Sequence, residues 1–550
     1  MPSALTYPGV YVEEIPSGVR TITGVATSIA AFVGRTRRGP VDEATVITSH
    51  SDFERQFGGL WFESPMTYAV RDFFANGGAQ AVIVRGYKSP AVEGEAPAPS
   101  GKARVAFDGT LTLEAASQGA WGNDLRVRVV TASNQVAPGD SSLFNLSVAL
   151  VRHDANGKPV EVAGLEVFRN VSLLQNHARR IDNVLKAESK LIRASSSFAP
   201  TTDAAIKPTA STEPTAAAEL WGKETAGNTT SVGVLTANAG SDGVALDQAA
   251  LTGPGTQDAS KGLYALDHTD QFNLLCIPPH SREDGDIENQ LIEDAISYCK
   301  RRRAIMLIDP PEGWDSRSDA VTGVNATPAV IGTASANAAL FFPRIRRPDQ
   351  ERPTVIADFA PCGAVAGVMA RTDVERGVWK APAGLAATLL GVPELSVKLS
   401  EGDIGLLNPM GVNCLRSMPN LGHVIWGSRT REGADRLASE WKYIPVRRLT
   451  LFIEESLYRG THWVVFEPND EPLWASIRLN VGAFMHSLFR QGAFQGRTSR
   501  DAYEVKCDSE TTTQDDINRG IVNIVVRFAP LKPAEFVVIK IQQLAGQVQA

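Results

Sequence analysis

The chain has 550 residues, of which 43% are hydrophobic and 21% charged, and 61 acids against 54 bases give a formal charge of −7. That length exceeds what one hydrophobic core supports and predicts about two to four domains. Without a basic stripe or a long like-charge run the composition argues against a nucleic-acid binder, and no apolar run reaches the length of a membrane span.

The first residues hold no basic segment followed by an apolar one, so no signal peptide is expected. Cys276, Cys299, Cys362, Cys414 and Cys507 are scattered and odd in number. They read as small buried hydrophobes in a reducing compartment, which places synthesis and folding in the cytoplasm. In the opening phrase TYPGVYVEEIPSG, Val10 and Val12 alternate with Tyr11 and Glu13 at the period of a strand, bracketed by Pro8 and Pro16. An isolated short strand must join a sheet, in its own subunit or a neighbour's.

Residues 24–87 read as strand, helix, helix, strand. Val25 to Val33 is the first strand, and Ser51 with Glu54 suggests a capping box before Phe53 and Phe57. Met66, Val70, Phe73 and Phe74 form the stripe of the second helix, stopped by Asn76, Gly77 and Gly78, and Ala81 to Val84 is a strand again. Residues 89–102 turn to Pro, Ala, Gly and Glu, a linker. Beyond it Leu125, Val127 and Val129, and Leu146, Val148 and Leu150, alternate as strands, and Ile181, Val184, Leu185, Leu191 and Ile192 suggest a helix and its exit. Residues 194–262 are rich in Ala, Thr, Ser, Gly and Pro, and read as a loose, surface-exposed insertion.

From residue 262 to 427 the α/β order returns. Phe272 to Ile277 is a buried strand; Ile287, Leu291, Ile292, Ala295, Ile296 and Cys299 line a helix; Ala304 to Ile308 is the next strand. Lys300 to Arg303 close that helix, where cations suit the negative end of the dipole. Next, Val446, Leu449, Phe452, Ile453, Ser456 and Leu457 fall at helical spacing, with Gly460 as a left-handed cap. Trp463 to Phe466 reads as a buried strand, and Asp470 as the N-cap of a helix whose stripe is Leu473, Trp474, Ile477, Val481, Phe484, Met485 and Leu488. Tyr503, Val505 and Cys507 alternate as a strand, and Ile521 to Phe528 and Glu535 to Ile541 follow as two more, separated by Pro530 and Pro533.

The phrases VRRLTLFIEESL, GTHWVVFEPN, LWASIR, GAFQG, EVKCD and PAEFVVIKIQQ, in that order, resemble the C-terminal domain of the sheath subunits of contractile phage tails and related injection systems. YPGVYVEE, GAWGNDLRVRV, EVFRNVS, RRRAIMLIDPP, NAALFFPRIRRPD, LNPMGVNCLR and HVIWGSRT resemble further segments of the same family. The resemblance implies a mixed α/β and α+β multidomain fold. An N-terminal arm would span 1–23, a discontinuous α/β core 24–88 and 262–427, an inserted β-rich outer domain 89–261, a C-terminal α+β domain 428–530 and a strand arm 531–550. It also implies that the terminal strands are exchanged between subunits, through Tyr7, Gly9, Val10, Tyr11, Val12 and Glu13 at one end and Glu535, Phe536, Val537, Val538 and Ile539 at the other.

The function implied is structural: hexameric rings stacked helically around an inner tube, contracting to drive the tube through a target envelope. The partners would be copies of itself, an inner tube protein, and baseplate and terminator or cap proteins, without nucleic acid and without direct membrane insertion. The assembly would be a phage tail or phage tail-like particle, with release to the extracellular space left open. Arg478 and Arg490, on the far side of the Leu473 to Leu488 stripe, are the candidate tube contacts. A non-contractile shell or surface-layer protein, and an α/β enzyme with a decorated insertion, are the alternatives.

Catalytic constellations are weak, and no catalytic, cofactor or metal site is expected. Glu454 with Glu455, and Asp515 with Asp516, are adjacent and point away from each other on a helix. The eight histidines include no HExxH and no pair at metal spacing, and no CxxC occurs. Asp309, at a strand end before two prolines, is the one carboxylate placed where α/β crevices bind ligands.

Overall fold

The computed structural model describes residues 20–90, 101–131, 140–154, 158–214, 220–222, 230–282 and 286–540. The expected strand at Tyr7 to Glu13 lies outside them. The largest sheet has eight strands in the order Gly422–Ile425, Val412–Met418, Ala338–Phe342, Ile305–Ile308, Leu274–Cys276, Ala30–Gly34, Ala81–Arg85 and Ala44–Ile47. The six inner strands run parallel and the two outermost antiparallel. Runs such as Ala30 to Val33, Ala81 to Val84 and Ile305 to Ile308 are apolar without alternation because both faces are covered. Ala30 and Phe32 join the core on one face, Ala31 and Val33 the core on the other. Strands from both ends of the 24–427 region thus share one sheet.

The first strand is shorter than its sequence suggests. Residues before Ala30 give their backbone N–H groups to side chains instead of a ladder: Val25 N to Ser456 Oγ at 3.2 Å and Ile29 N to Asn273 Oδ1 at 3.0 Å. The helix His50–Phe57 starts two residues early, with Ser49 as N-cap accepting from Asp52 N, so the expected Ser51–Glu54 box does not form. The helices Pro65–Ala75 and Cys362–Arg376 pack against one face of the sheet and touch through glycine: a Cβ on Gly363 would stand 2.0 Å from the Ala69 carbonyl, and one on Gly367 2.5 Å from that of Phe73.

The inserted segment builds two antiparallel sheets. One orders Val232–Gly233, Leu125–Val130, Leu143–His153 and Pro159–Ser172; the other Arg104–Phe107, Leu111–Ala115 and Ile192–Ala194. They share a core of Val105, Leu113, Val127, Leu146, Val148 and Ile192 with the helix Ile181–Glu188. Arg85, fully buried at a central strand end, ties the insertion down by donating to the carbonyls of Thr36, Gly39 and Gln118.

Within 194–262, where a loose stretch is expected, several described residues are packed. Trp221 covers Ala149 and Val151, and Leu246 and Leu251 enter the central core. Leu246 fits because Gly86 leaves room; a Cβ there would lie 2.8 Å from Leu246 Cδ1.

In the C-terminal region the helices Ile444–Gly460 and Glu471–Arg490 pack together, and Asp470 caps the second as expected. Every residue of the Leu473 to Leu488 stripe is buried. Two expectations are overturned. Gly460 is the last helical residue and not a left-handed cap; its lack of a side chain admits Ile22, whose Cγ2 lies 2.6 Å from the Cβ position. Trp463 to Phe466 is not a buried strand: His462–Val464 is a short 3-10 turn, no strand among the described residues lies beside it, and Val465 and Phe466 face solvent. Tyr503–Lys506 and Val525–Phe528 form an antiparallel hairpin, while residues 535–540 belong to no helix or strand.

Gly363→Ala should lower stability by about 1–3 kcal/mol, because the new methyl must push the packed helices away from each other. Urea unfolding followed by circular dichroism reads the change, and an unchanged midpoint would refute the close approach.

Candidate functional site

Three networks fix the C-terminal region to the central sheet. The first centres on Arg448 of helix Ile444–Gly460. Its Nη1 and Nη2 reach the two oxygens of Asp373 at 2.8 and 2.5 Å, and Nη2 also donates to the Thr27 carbonyl at 2.8 Å. Thr27 Oγ1 closes the ring on Asp373 Oδ2 at 2.7 Å. Both charged side chains are nearly inaccessible, at 4% and 3%. Three segments remote in sequence meet there.

The second network is Arg303, Glu455, Arg459 and Asp270. Arg303 ends the helix Asn289–Arg302 in a left-handed conformation and reaches Glu455 at 2.9 Å. Arg459 holds Glu455 at 2.7 Å and Asp270 at 2.6 Å. The Arg301 to Arg303 cluster is therefore a helix terminus in use: Arg302 donates to the carbonyls of Leu266 and Thr269, and Arg301 lies over Tyr264 and Tyr298.

The third joins Arg429 to Glu535 across 106 residues of sequence, with Nε and Nη2 on the two carboxylate oxygens at 2.8 and 2.6 Å. Immediately beyond it Phe536, Val537, Val538 and Ile539 are 74–83% exposed. The nearby hairpin is a sheet of two strands with neither outer edge paired among the described residues. Among the described residues an apolar run outside any strand and an unpaired sheet edge are thus both present. Phe466 is likewise fully exposed, at φ +71.

Of the sequence-predicted site residues, Glu535 to Ile539 are placed together in this exit, while Tyr7, Gly9, Val10, Tyr11, Val12 and Glu13 lie outside the described residues. Arg478 and Arg490 share one helix, but Arg478 is already held by Glu471 at 2.6 Å and by the Cys507 carbonyl, whereas Arg490 is exposed. Arg429 and Arg448 escaped the sequence reading. Both lie within family-like phrases, but nothing local marks a residue whose partner is distant in sequence.

The remaining chemistry-bearing groups do not converge. Among the described residues no cluster of His, Cys, Asp and Glu could hold a metal ion, and all five cysteines are buried. No helix among them is long and apolar enough to cross a membrane. Asp516 accepts from Thr513 within a helix cap, and Glu455 serves the arginine network. Asp309 accepts a bond from Cys362 N at 2.8 Å, and its Oδ2 has no partner among the described residues. Burial pushes its carboxyl up to about 6. Buried His280, with both ring nitrogens unpartnered among the described residues, is pushed down to about 4, also by burial.

These two groups oppose each other in acid. The folded state binds the Asp309 proton more tightly than the unfolded chain does, so this group's contribution improves as pH falls from 7 through about 6. His280 resists protonation when folded, so its contribution weakens as pH falls from its ordinary range toward about 4. Asp309→Asn should stabilise the chain at pH 7 by on the order of 2 kcal/mol, the gap to wild type closing toward pH 5. Urea unfolding at the two pH values reads it, and a pH-independent gap would refute the assignment.

Comparison with known proteins converges on one family. A sequence model of the phage tail sheath protein central domain matches residues 252–431, and one of the phage tail sheath C-terminal domain matches 438–543, together more than half of the chain. The tail sheath protein of Vibrio phage KVP40 is 26% identical over 176 residues, which is 32% of this chain and 25% of that protein. The chain thus aligns with about a quarter of that curated relative's length. The contracted sheath complex of PVC, an extracellular contractile injection system, superposes with a TM-score of 0.56 over 98% of each chain at 20% identity. The contracted helical sheath of the anti-feeding prophage does so at 0.54 over 98% of this chain and 100% of that one, at 22% identity.

Proposed function

The chain belongs to the phage tail sheath family, as a structural protein and not an enzyme, and from that premise we propose that it is the building block of a contractile sheath. Copies stack as hexameric rings around an inner tube, and the lattice shortens and widens to drive the tube through a target envelope. Its partners are further copies of itself, the tube protein, and baseplate and terminator or cap proteins. The fold of the contracted PVC and anti-feeding prophage sheaths supports this reading.

The observation that carries it is the exit at Glu535. A solvent-exposed apolar run follows Glu535 outside any strand, and the two-stranded hairpin that precedes it in the chain has outer edges that no other strand pairs among the described residues. A hairpin of two strands is marginal by itself and gains from added strands. Residues Tyr7 to Glu13 and Glu535 to Ile539 are the strands lent to neighbours. Backbone hydrogen bonds net about 0.5–1.5 kcal/mol each, so one lent strand contributes a few kcal/mol per junction. Repeated over a lattice, such junctions hold the subunits linked while their bodies slide and repack.

The same reading divides the chain into an arm over 1–23, a discontinuous core over 24–88 and 262–427, an outer insertion over 89–261, a C-terminal domain over 428–530 and a second arm over 531–550. The sharing of one sheet by strands at 30–85 and 274–425 supports the discontinuous core. Arg490, and with it Arg478 despite its bond to Glu471, faces the tube, a contact polar enough to release during contraction.

Electron microscopy of the purified chain tests the assembly: long hollow striated tubes are expected. Deleting the residues before Pro16 should leave a folded subunit that no longer polymerises, and intact tubes from that variant would refute strand lending. Charge reversal at Arg478 and Arg490 together should abolish co-sedimentation with the tube protein while leaving sheath assembly intact. Unchanged binding would remove both residues from the contact.

A further inference from the structure

The C-terminal arm does not leave the body gradually. Gln495 N donates to the Ala529 carbonyl at 2.9 Å, and Phe494 bridges to Pro530, so the chain is fixed there to the C-terminal domain. Leu531 to Glu535 then cross the rim of a cleft of about 890 Å³, whose walls include Trp379, Ile404 and Trp426. Pro530 and Pro533 restrict the backbone of this strap. At its far end Glu535 is seized by Arg429 and accepts a further bond from Tyr443 OH at 3.3 Å. The next residue is exposed.

Arg429 is built to hold. Its side chain is fully buried, and all three guanidinium nitrogens are engaged: Nε and Nη2 by Glu535, Nη1 by the carbonyls of Asn408 and Gly433 and by Asp435. Its backbone is clasped by Asn413 of the central sheet, with Arg429 N to Asn413 Oδ1 at 2.6 Å and Asn413 Nδ2 to the Arg429 carbonyl at 2.8 Å. Gly433 lets the neighbouring backbone close over it, since a Cβ there would stand 2.7 Å from Arg429 Cβ. A continuous path runs from the sheet through Asn413 and Arg429 to Glu535. A forked guanidinium–carboxylate pair fixes orientation as well as distance.

We propose that the Arg429–Glu535 pair is a fixed pivot: the strap 530–535 stays on the body, and the arm swings only beyond Glu535. Tension on a lent arm therefore enters the central sheet through Arg429, not the hairpin. This rests on the sheath reading, but the pivot itself belongs to the single chain and is testable without assembly.

Nitroxide labels at Ala534→Cys and, separately, Val538→Cys in the full chain report motion on either side of the pivot. The buried native cysteines do not compete for label. The expected result is a slow spectral component at 534, a fast one at 538, and loss of the slow component at 534 on Glu535→Ala, with circular dichroism unchanged. Glu535→Gln, which keeps the shape and one acceptor, should lose only a fraction of it. Equal mobility at 534 and 538, or a slow 534 that survives Glu535→Ala, would overturn the pivot. In assembled tubes the 534 label should keep its monomer distance to a second label on the body, at Ser439→Cys; a changed distance would show that the latch opens and overturn it. Absence of tubes from the wild-type chain would count against the sheath reading and leave the single-chain result standing.

Discussion

The arrangement of this molecule depends on the buried pair of Arg448 and Asp373. Removing two charges from water is costly, and only close geometry with every lone pair occupied offsets it. Here Thr27 supplies both a carbonyl for Arg448 and a hydroxyl for Asp373, so the site is complete only when three distant segments meet. An apolar contact would tolerate some sliding; a forked ion pair out of water does not. The pair thus sets where the helix Ile444–Gly460 sits against the helix Cys362–Arg376 and the entry to the central sheet. The hairpin and the arm exit are positioned from there.

Around that fixed point the protein divides rigid work from open work. The central sheet is covered on both faces, with cores that interleave residue by residue along Ala30 to Val33. Among the described residues the C-terminal hairpin has two strands with unpaired outer edges, and Phe536 to Ile539 are solvent-facing. Soluble monomers blunt such edges or cover them. A bare edge next to a firmly anchored body is what the proposed lending of strands between copies requires.

The buried groups without partners have a different meaning. Asp309 sits at a strand end where enzymes of this general architecture place ligands, and its raised carboxyl alone would invite a catalytic reading. Its Oδ1 accepts from the Cys362 backbone N–H, the Cys362 thiol beside it is held away from the thiolate by burial, and no cluster among the described residues could hold a metal ion. A perturbed group without convergent partners is a cost of burial, not a site.

Periodicity made the helices and inner strands legible, because burial on one face repeats at 3.6 residues and burial on both faces leaves no polar position. The stripe from Leu473 to Leu488, the strand at Ala81 to Val84 and the arginine-closed helix end are where the sequence places them. The apolar run Trp463 to Phe466 misled, since composition cannot tell a strand with neighbours from a turn exposed at a surface. Gly460 misled for a related reason: a glycine that makes room for Ile22 looks the same in sequence as one that caps a helix. Local pattern therefore determined element type and the core-facing residues. Only the tertiary structure decided that Arg448 meets Asp373 and that Arg429 meets Glu535, because a charge carries no record in the chain of which distant charge will neutralise it.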